Sequence, residues 1–108
     1  MAGFVAITEN QFTSQIFAQA PTSGVNVSLT PSGRQLNFPG GSLTEADVKK
    51  VFHDLENKMG IYSAAEMNQL LPGNAVIVNT QFLDLAVNVG LASRSGADYR
   101  FKVSDRVS

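Results

Sequence analysis

Residues 44–59 read TEADVKKVFHDLENKM, and this stretch carries the local signals of an amphipathic helix. Thr44 stands at the N-cap position and Asp47 follows three residues later, where a hydroxyl and a carboxylate can satisfy the first free backbone amides. Apolar side chains then recur at helical spacing and make one stripe: Val48, Val51, Phe52, Leu55 and Met59. Gly60 follows as a C-terminal stop. We therefore predict a helix over 44–59 that turns its apolar stripe toward a core.

His53 is the only histidine of the chain and lies on the opposite side of this helix, beside Lys49 and Lys50. A zinc or iron site usually needs at least two nitrogen or sulfur ligands, and the chain has no cysteine. No spacing links His53 to a serine and an aspartate as a catalytic triad. We therefore predict a surface histidine and assign no catalytic, cofactor-binding or metal-ligating residue. The sequence leans against an enzyme without deciding the question.

Two further capping boxes predict helices on either side of the first. Thr8 and Gln11 open a helix over 9–20, and Pro21 marks its exit. Ser63 and Glu66 open a shorter helix that Pro72-Gly73 stops. The apolar residues 4–7 fit either a short edge strand or the lead-in to the first helix.

The residues between the first two helices alternate apolar and polar and predict a β-hairpin. The apolar positions are Val25, Val27, Leu29, Leu36 and Phe38. The turn is Pro31-Ser32-Gly33, where proline fixes the first turn position and glycine permits a positive φ. Pro39-Gly40-Gly41 then closes the hairpin. We interpret these glycines as a loop and cap, with an anion site at the following helix start as the alternative.

The C-terminal third predicts further strands. Residues 75–78 form an apolar run typical of a buried strand. Over 83–91, large apolar residues occupy every odd position, which favours a strand, although a helix capped at Thr80 also fits in part. After a turn over 93–98, Tyr99, Phe101 and Val103 alternate with polar residues as a last strand.

These elements together predict an α+β fold. A mainly antiparallel sheet, made of the N-terminal hairpin and a C-terminal meander, packs with about three helices. The length of 108 residues suits one small domain over 1–108.

Charge is scarce in this chain, and this bears on function. Only 16% of the residues are charged, against a usual ~25%, and the net charge is −1. Neutral polar side chains cost less to desolvate than charged ones, and interfaces are depleted in charge for that reason. We therefore expect a non-enzymatic interaction or assembly subunit that docks to copies of itself or to another protein. Its interaction face is predicted at Asn26, Ser28, Gln35 and Asn37.

A viral or phage-type particle component or a small adaptor would suit this profile. Two alternatives remain open. Arg100, Lys102 and Arg106 share one face of the last strand, so a nucleic-acid-associated regulator is the second hypothesis. The net charge argues against nucleic acid, and a charged edge strand that resists aggregation explains the same residues. The third hypothesis is a small enzyme or ligand-binding domain with a pocket between sheet and helices.

The apolar N-terminal run ends at Glu9 and has no basic residue before it. It is too short for a signal peptide or a membrane span. We therefore expect a cytoplasmic protein or a component of a soluble particle, without a membrane partner and without a cofactor.

Overall fold

A computed structural model describes residues 8–57, 61–73 and 76–101. These residues form an α+β fold, as predicted, with four α-helices and two antiparallel sheets of three strands each. Several predicted features lie outside the described residues: residues 4–7, which fit either an edge strand or a helix lead-in, the C-terminal stop at Gly60, and Lys102, Val103 and Arg106.

The N-terminal half contains two helices and the first sheet. Its elements are α1 Glu9–Gln19, β1 Asn26–Thr30, β2 Gly33–Phe38, β3 Gly41–Thr44 and α2 Glu45–Asn57, with a 3₁₀ turn at Pro21–Ser23 between α1 and β1. The strand order is β1-β2-β3. The predicted hairpin is confirmed, since Val27 lies opposite Leu36 and Leu29 opposite Arg34. The strand β3 was missed, because four residues that begin with a glycine resemble a loop.

The capping boxes form as the sequence predicts. In α1, the Gln11 amide donates to Thr8 Oγ1 at 3.1 Å and the Thr8 amide donates to Gln11 Oε1 at 2.8 Å. In α2, the Asp47 amide donates to Thr44 Oγ1 at 3.2 Å, and Asp47 Oδ2 accepts from the Thr44 amide at the same distance. The described part of the apolar stripe on α2 is fully buried.

The C-terminal half contains β4 Ile61–Tyr62, α3 Ala64–Leu70, α4 Val76–Asn88, β5 Ala92–Ser95 and β6 Asp98–Phe101. The second sheet has the order β4-β6-β5. The helix over 64–70 begins at its predicted cap, where Ser63 Oγ accepts from the Glu66 amide at 3.3 Å. The last strand is confirmed over its described residues.

The predicted strands at 75–78 and 83–91 are wrong, because 76–88 is one helix. The buried residues of helix α4 lie on one broad side: Val78, Asn79, Phe82, Leu83, Leu85 and Ala86. The polar Asn79 interrupts this side and the apolar Val76 and Ile77 are exposed outside it, so the sequence shows no clear apolar stripe at helical spacing. The helix does not begin at Thr80, whose hydroxyl donates to the Val76 carbonyl inside the first turn. The predicted meander is therefore a helix followed by the β5–β6 hairpin.

A glycine signal marks the end of α4. Gly90 has a φ of 85°, and the Leu91 amide donates to the Ala86 carbonyl at 3.0 Å. This is the Schellman arrangement that ends many helices. The same Gly-Leu pair in the sequence could have revealed the helix.

One buried cluster joins both sheets and all four helices. Phe12 of α1 packs at a tilt against Phe52 of α2, with ring centroids 5.3 Å apart, and against Phe101 of β6 at 6.4 Å. The first helix therefore packs against both α2 and a strand of the second sheet.

Candidate functional site

The four residues of the predicted interaction face lie together on β1 and β2. Asn26 is the cross-strand partner of Asn37, and Ser28 is the partner of Gln35. Residues two apart on a strand point to the same side of a sheet. We call these four residues, together with Ser42 and Thr44 of the neighbouring strand β3, the polar sheet face.

Hydrogen bonds between side chains hold this face in order. Asn37 Nδ2 donates to Ser28 Oγ at 2.7 Å, and Gln35 Nε2 donates to Asn37 Oδ1 at 3.1 Å. Asn37 Nδ2 also approaches the Asn26 carbonyl at 3.5 Å. Asn37 is therefore the centre of the network, and the side chains around it lose less conformational freedom if a partner docks.

Strand β3 extends the face by two residues that sequence reasoning did not include. Ser42 lies opposite Asn37 and Thr44 opposite Gln35, and both are exposed. They were missed because β3 itself was missed. The enlarged face carries amides and hydroxyls and no charged side chain: Asn26, Ser28, Gln35, Asn37, Ser42 and Thr44.

The opposite side of the same sheet anchors it to the core. Leu36 and Leu43 are fully buried cross-strand partners, and Phe38 is buried at the end of β2. Because this side is packed, the polar sheet face belongs to a rigid element.

Arg34 and Glu45 tie the sheet to α2. Glu45 Oε1 accepts from the Arg34 amide at 2.9 Å and from Arg34 Nε at 3.2 Å. These hydrogen bonds from Arg34 hold the pKa of Glu45 below its usual value. The guanidinium also lies over the Phe17 ring at 4.8 Å, so α1 is part of the same arrangement.

Of the three predicted nucleic-acid residues, the described part of the chain contains Arg100. Its side chain is exposed, but Asp98 lies on the same side of β6 and weakens any positive field. Arg94 lies on the other side, over the Tyr99 ring at 5.6 Å. A basic face therefore stays a prediction. For Arg100 the edge-strand explanation is wrong, because β6 is the central strand among the described strands of its sheet.

His53 is exposed, as predicted, with 63% of its side chain accessible. Its Nε2 meets Glu9 Oε2 of α1, and its Nδ1 lies 3.4 Å from Glu56 Oε1. The histidine therefore links α1 to α2 at the surface. In the described ranges, no group of three or more His, Cys, Asp or Glu residues could hold a metal ion.

The glycines before α2 have a packing role. A Cβ on Gly40 would overlap Ile77, and a Cβ on Gly41 would lie 2.9 Å from Val78 Cγ2. The turn between β2 and β3 thus approaches the first turn of α4 too closely for a side chain. This supports the loop interpretation over the anion site.

A groove of about 200 Å³ lies between the end of β2, the 3₁₀ turn and α4. Its lining residues are Ser23, Val25, Phe38, Pro39, Gln81, Asp84, Leu85 and Asn88. Asp84 Oδ1 accepts from the Tyr99 hydroxyl at 2.8 Å. The groove is smaller than the ~300–1,000 Å³ of most ligand sites.

None of the helices in the described ranges is both long and apolar enough to span a membrane. No protein-family model matches the chain, and neither a curated protein nor a solved structure is significantly similar to it.

Proposed function

We propose that the chain is a non-enzymatic interaction or assembly subunit that docks through the polar sheet face. The observation that carries the proposal is the network centred on the half-buried Asn37, on a sheet face whose six side chains carry no charge. Such a surface presents hydrogen-bond donors and acceptors in fixed positions, and burying it leaves no charged group without a partner.

The physical argument favours a protein partner. Nucleic acid and anionic membranes are attracted by a positive field, and this face supplies none. Amide and hydroxyl groups pair with other neutral polar groups, which is how many interface rims are built. A repeating particle, such as a viral or phage-type assembly, would use such a face, and so would a small adaptor.

The test places a charge at the centre of the face. We expect association, measured by sedimentation velocity at micromolar concentration or with a partner from the native host, to be lost in Asn37→Lys. The matched control is Ser95→Lys, an equal charge at an exposed site on the other sheet. A strict monomer without any host partner contradicts the proposal, and so does equal binding by both variants.

The groove supports a second candidate function, the binding of a small polar ligand. Gln81, Asp84 and Asn88 lie on one side of α4 and offer acceptors above the apolar Val25 and Leu85. Small amines would match the Asp84 carboxylate. When a small amine is added, amide chemical-shift changes that are confined to the groove and are lost in Asp84→Asn would support this function. Changes scattered over the surface would exclude it.

A further inference from the structure

Strand β1 is an edge of the first sheet. Among the described residues it pairs with β2 on one side and with no strand on the other. Every second residue of an antiparallel edge strand directs its backbone N–H and C=O groups away from its neighbour. Such an edge is a template for another strand.

This edge lacks the charges, prolines and bulges that usually prevent an edge strand from pairing with another chain. No Asp, Glu, Lys, Arg or His stands between Glu9 and Arg34, and β1 contains no proline. Its five residues pair with β2 in unbroken register, so no bulge twists the edge away. Leu29 is 85% exposed, so its apolar side chain is accessible to a partner strand.

The sequence of β1 is self-complementary. It reads Asn26, Val27, Ser28, Leu29, Thr30, so its polar and apolar positions are symmetric about Ser28. In an antiparallel pair of two such strands centred on Ser28, Val27 meets the second Leu29 and Asn26 meets the second Thr30. Polar groups then face polar groups, apolar groups face apolar groups, and no like charges meet.

We propose that β1 pairs antiparallel with β1 of a second copy of this chain, about a two-fold axis through Ser28. The inference goes beyond the proposed function, since this edge pairing leaves both polar sheet faces uncovered. The pairing produces a continuous six-stranded sheet in the order β3-β2-β1-β1-β2-β3. A two-fold axis normal to the sheet keeps both polar sheet faces on one side, so the dimer presents a doubled neutral surface.

The test uses the absence of cysteine from the chain. The two Ser28 positions would be directly opposite, with Cα atoms about 4.5–5.5 Å apart, which suits a disulfide. In the same dimer the two Ser42 positions would be five strand spacings apart, about 24 Å. Ser28→Cys and Ser42→Cys are thus matched single-cysteine variants, because both residues are exposed on the polar sheet face.

Under mild oxidation at micromolar concentration we expect Ser28→Cys to form a disulfide-linked dimer roughly a hundredfold faster than Ser42→Cys, because preassociation raises the effective thiol concentration. Adding Leu29→Lys to Ser28→Cys should abolish the difference, and circular dichroism should show that each variant is folded. Equal rates for the two single variants would overturn the proposal.

The proposed function can survive the failure of this inference. If the unmodified protein associates and Asn37→Lys prevents association while Leu29→Lys has no effect, the face docks and the edge does not. If Ser28→Cys stays monomeric until residues 2–7 are deleted, the chain's own N-terminal segment occupies the edge, and the second copy is excluded.

Discussion

Glu45, the first residue of α2, accepts hydrogen bonds from both the backbone amide and the guanidinium of Arg34 in β2, at 2.9 and 3.2 Å. The pair joins the sheet that carries the polar sheet face to the first turn of helix α2. The side chains are 37% and 24% accessible, so solvent screens part of the attraction.

Glu45→Gln should lower the free energy of unfolding by about 1 kcal/mol near neutral pH, since one charged acceptor is lost at a partly exposed site. The pKa of Glu45 is lowered by Arg34, so its contribution is present above the unfolded value of 4.5 and disappears as pH falls through the folded one. Urea unfolding at neutral and acidic pH measures both effects.

The control for this prediction is Asp98→Asn, an exposed carboxylate in the β5–β6 hairpin. It should leave the free energy of unfolding within about 0.5 kcal/mol of the original value. If Glu45→Gln behaves like the control at both pH values, the Arg34 contact contributes nothing to stability.

The close approach of Gly40 to Ile77 gives the second prediction. Gly40→Ala should cost about 1–3 kcal/mol, because the added methyl overlaps the side chain of α4. Gly41→Ala should cost at least as much, since its φ of 151° is also unfavourable for a side chain. Thermal or urea unfolding measures the change.

A double-mutant cycle separates the overlap from other effects. Ile77→Ala alone removes a side chain that is 56% exposed, and in its background Gly40→Ala should lose most of its cost. Gly73→Ala, where a Cβ meets nothing within 4 Å, should be neutral or slightly stabilising. Additive costs at Gly40 and Ile77 would show that the two do not touch.

Alkaline pH should unfold the protein through its two tyrosines. Tyr62 and Tyr99 are 0% and 3% exposed, and burial raises the pKa of both, with Asp54 and Asp84 adding to the rise. The unfolded chain ionises tyrosine near pH 10. Unfolding therefore releases protons above that pH, and the free energy of unfolding falls as pH rises.

The tyrosinate absorbance should appear together with the loss of circular dichroism, not before it. Tyr62→Phe should be nearly neutral at pH 7 and reduce the alkaline dependence, because the Tyr62 hydroxyl makes no hydrogen bond although Asp54 is near. Tyr99→Phe should cost about 1 kcal/mol, since it removes the bond to Asp84. Tyrosines that ionise near pH 10 in the folded protein would refute this account.

The N-cap of α2 gives the last prediction. Thr44→Ala should lower the free energy of unfolding by about 1 kcal/mol, because the Asp47 amide loses its acceptor. Thr44→Ser keeps the hydroxyl and should retain most of the stability. Equal losses in the two variants would indicate that the Thr44 methyl group, or its place in β3, matters more than the cap.

Elements whose hydrogen bonds join residues close in the chain can be predicted from the sequence alone. The boxes at Thr8, Thr44 and Ser63 each satisfy amides three residues away, so the starts of α1, α2 and α3 could be predicted. The hairpin turn likewise fixed the register that brings Asn26, Ser28, Gln35 and Asn37 onto one face.

Elements whose form depends on contacts with distant residues are set by tertiary packing. Helix α4 buries Phe82 and Leu85 on one side, but the apolar Val76 and Ile77 are exposed outside that side, so no clear apolar stripe distinguished it from a strand. Strand β6 became central because Ile61 and Tyr62, distant in sequence, pair with Arg100 and Tyr99. Local sequence patterns reflect hydrogen bonds between residues close in the chain, whereas burial by distant residues leaves no fixed spacing in the sequence.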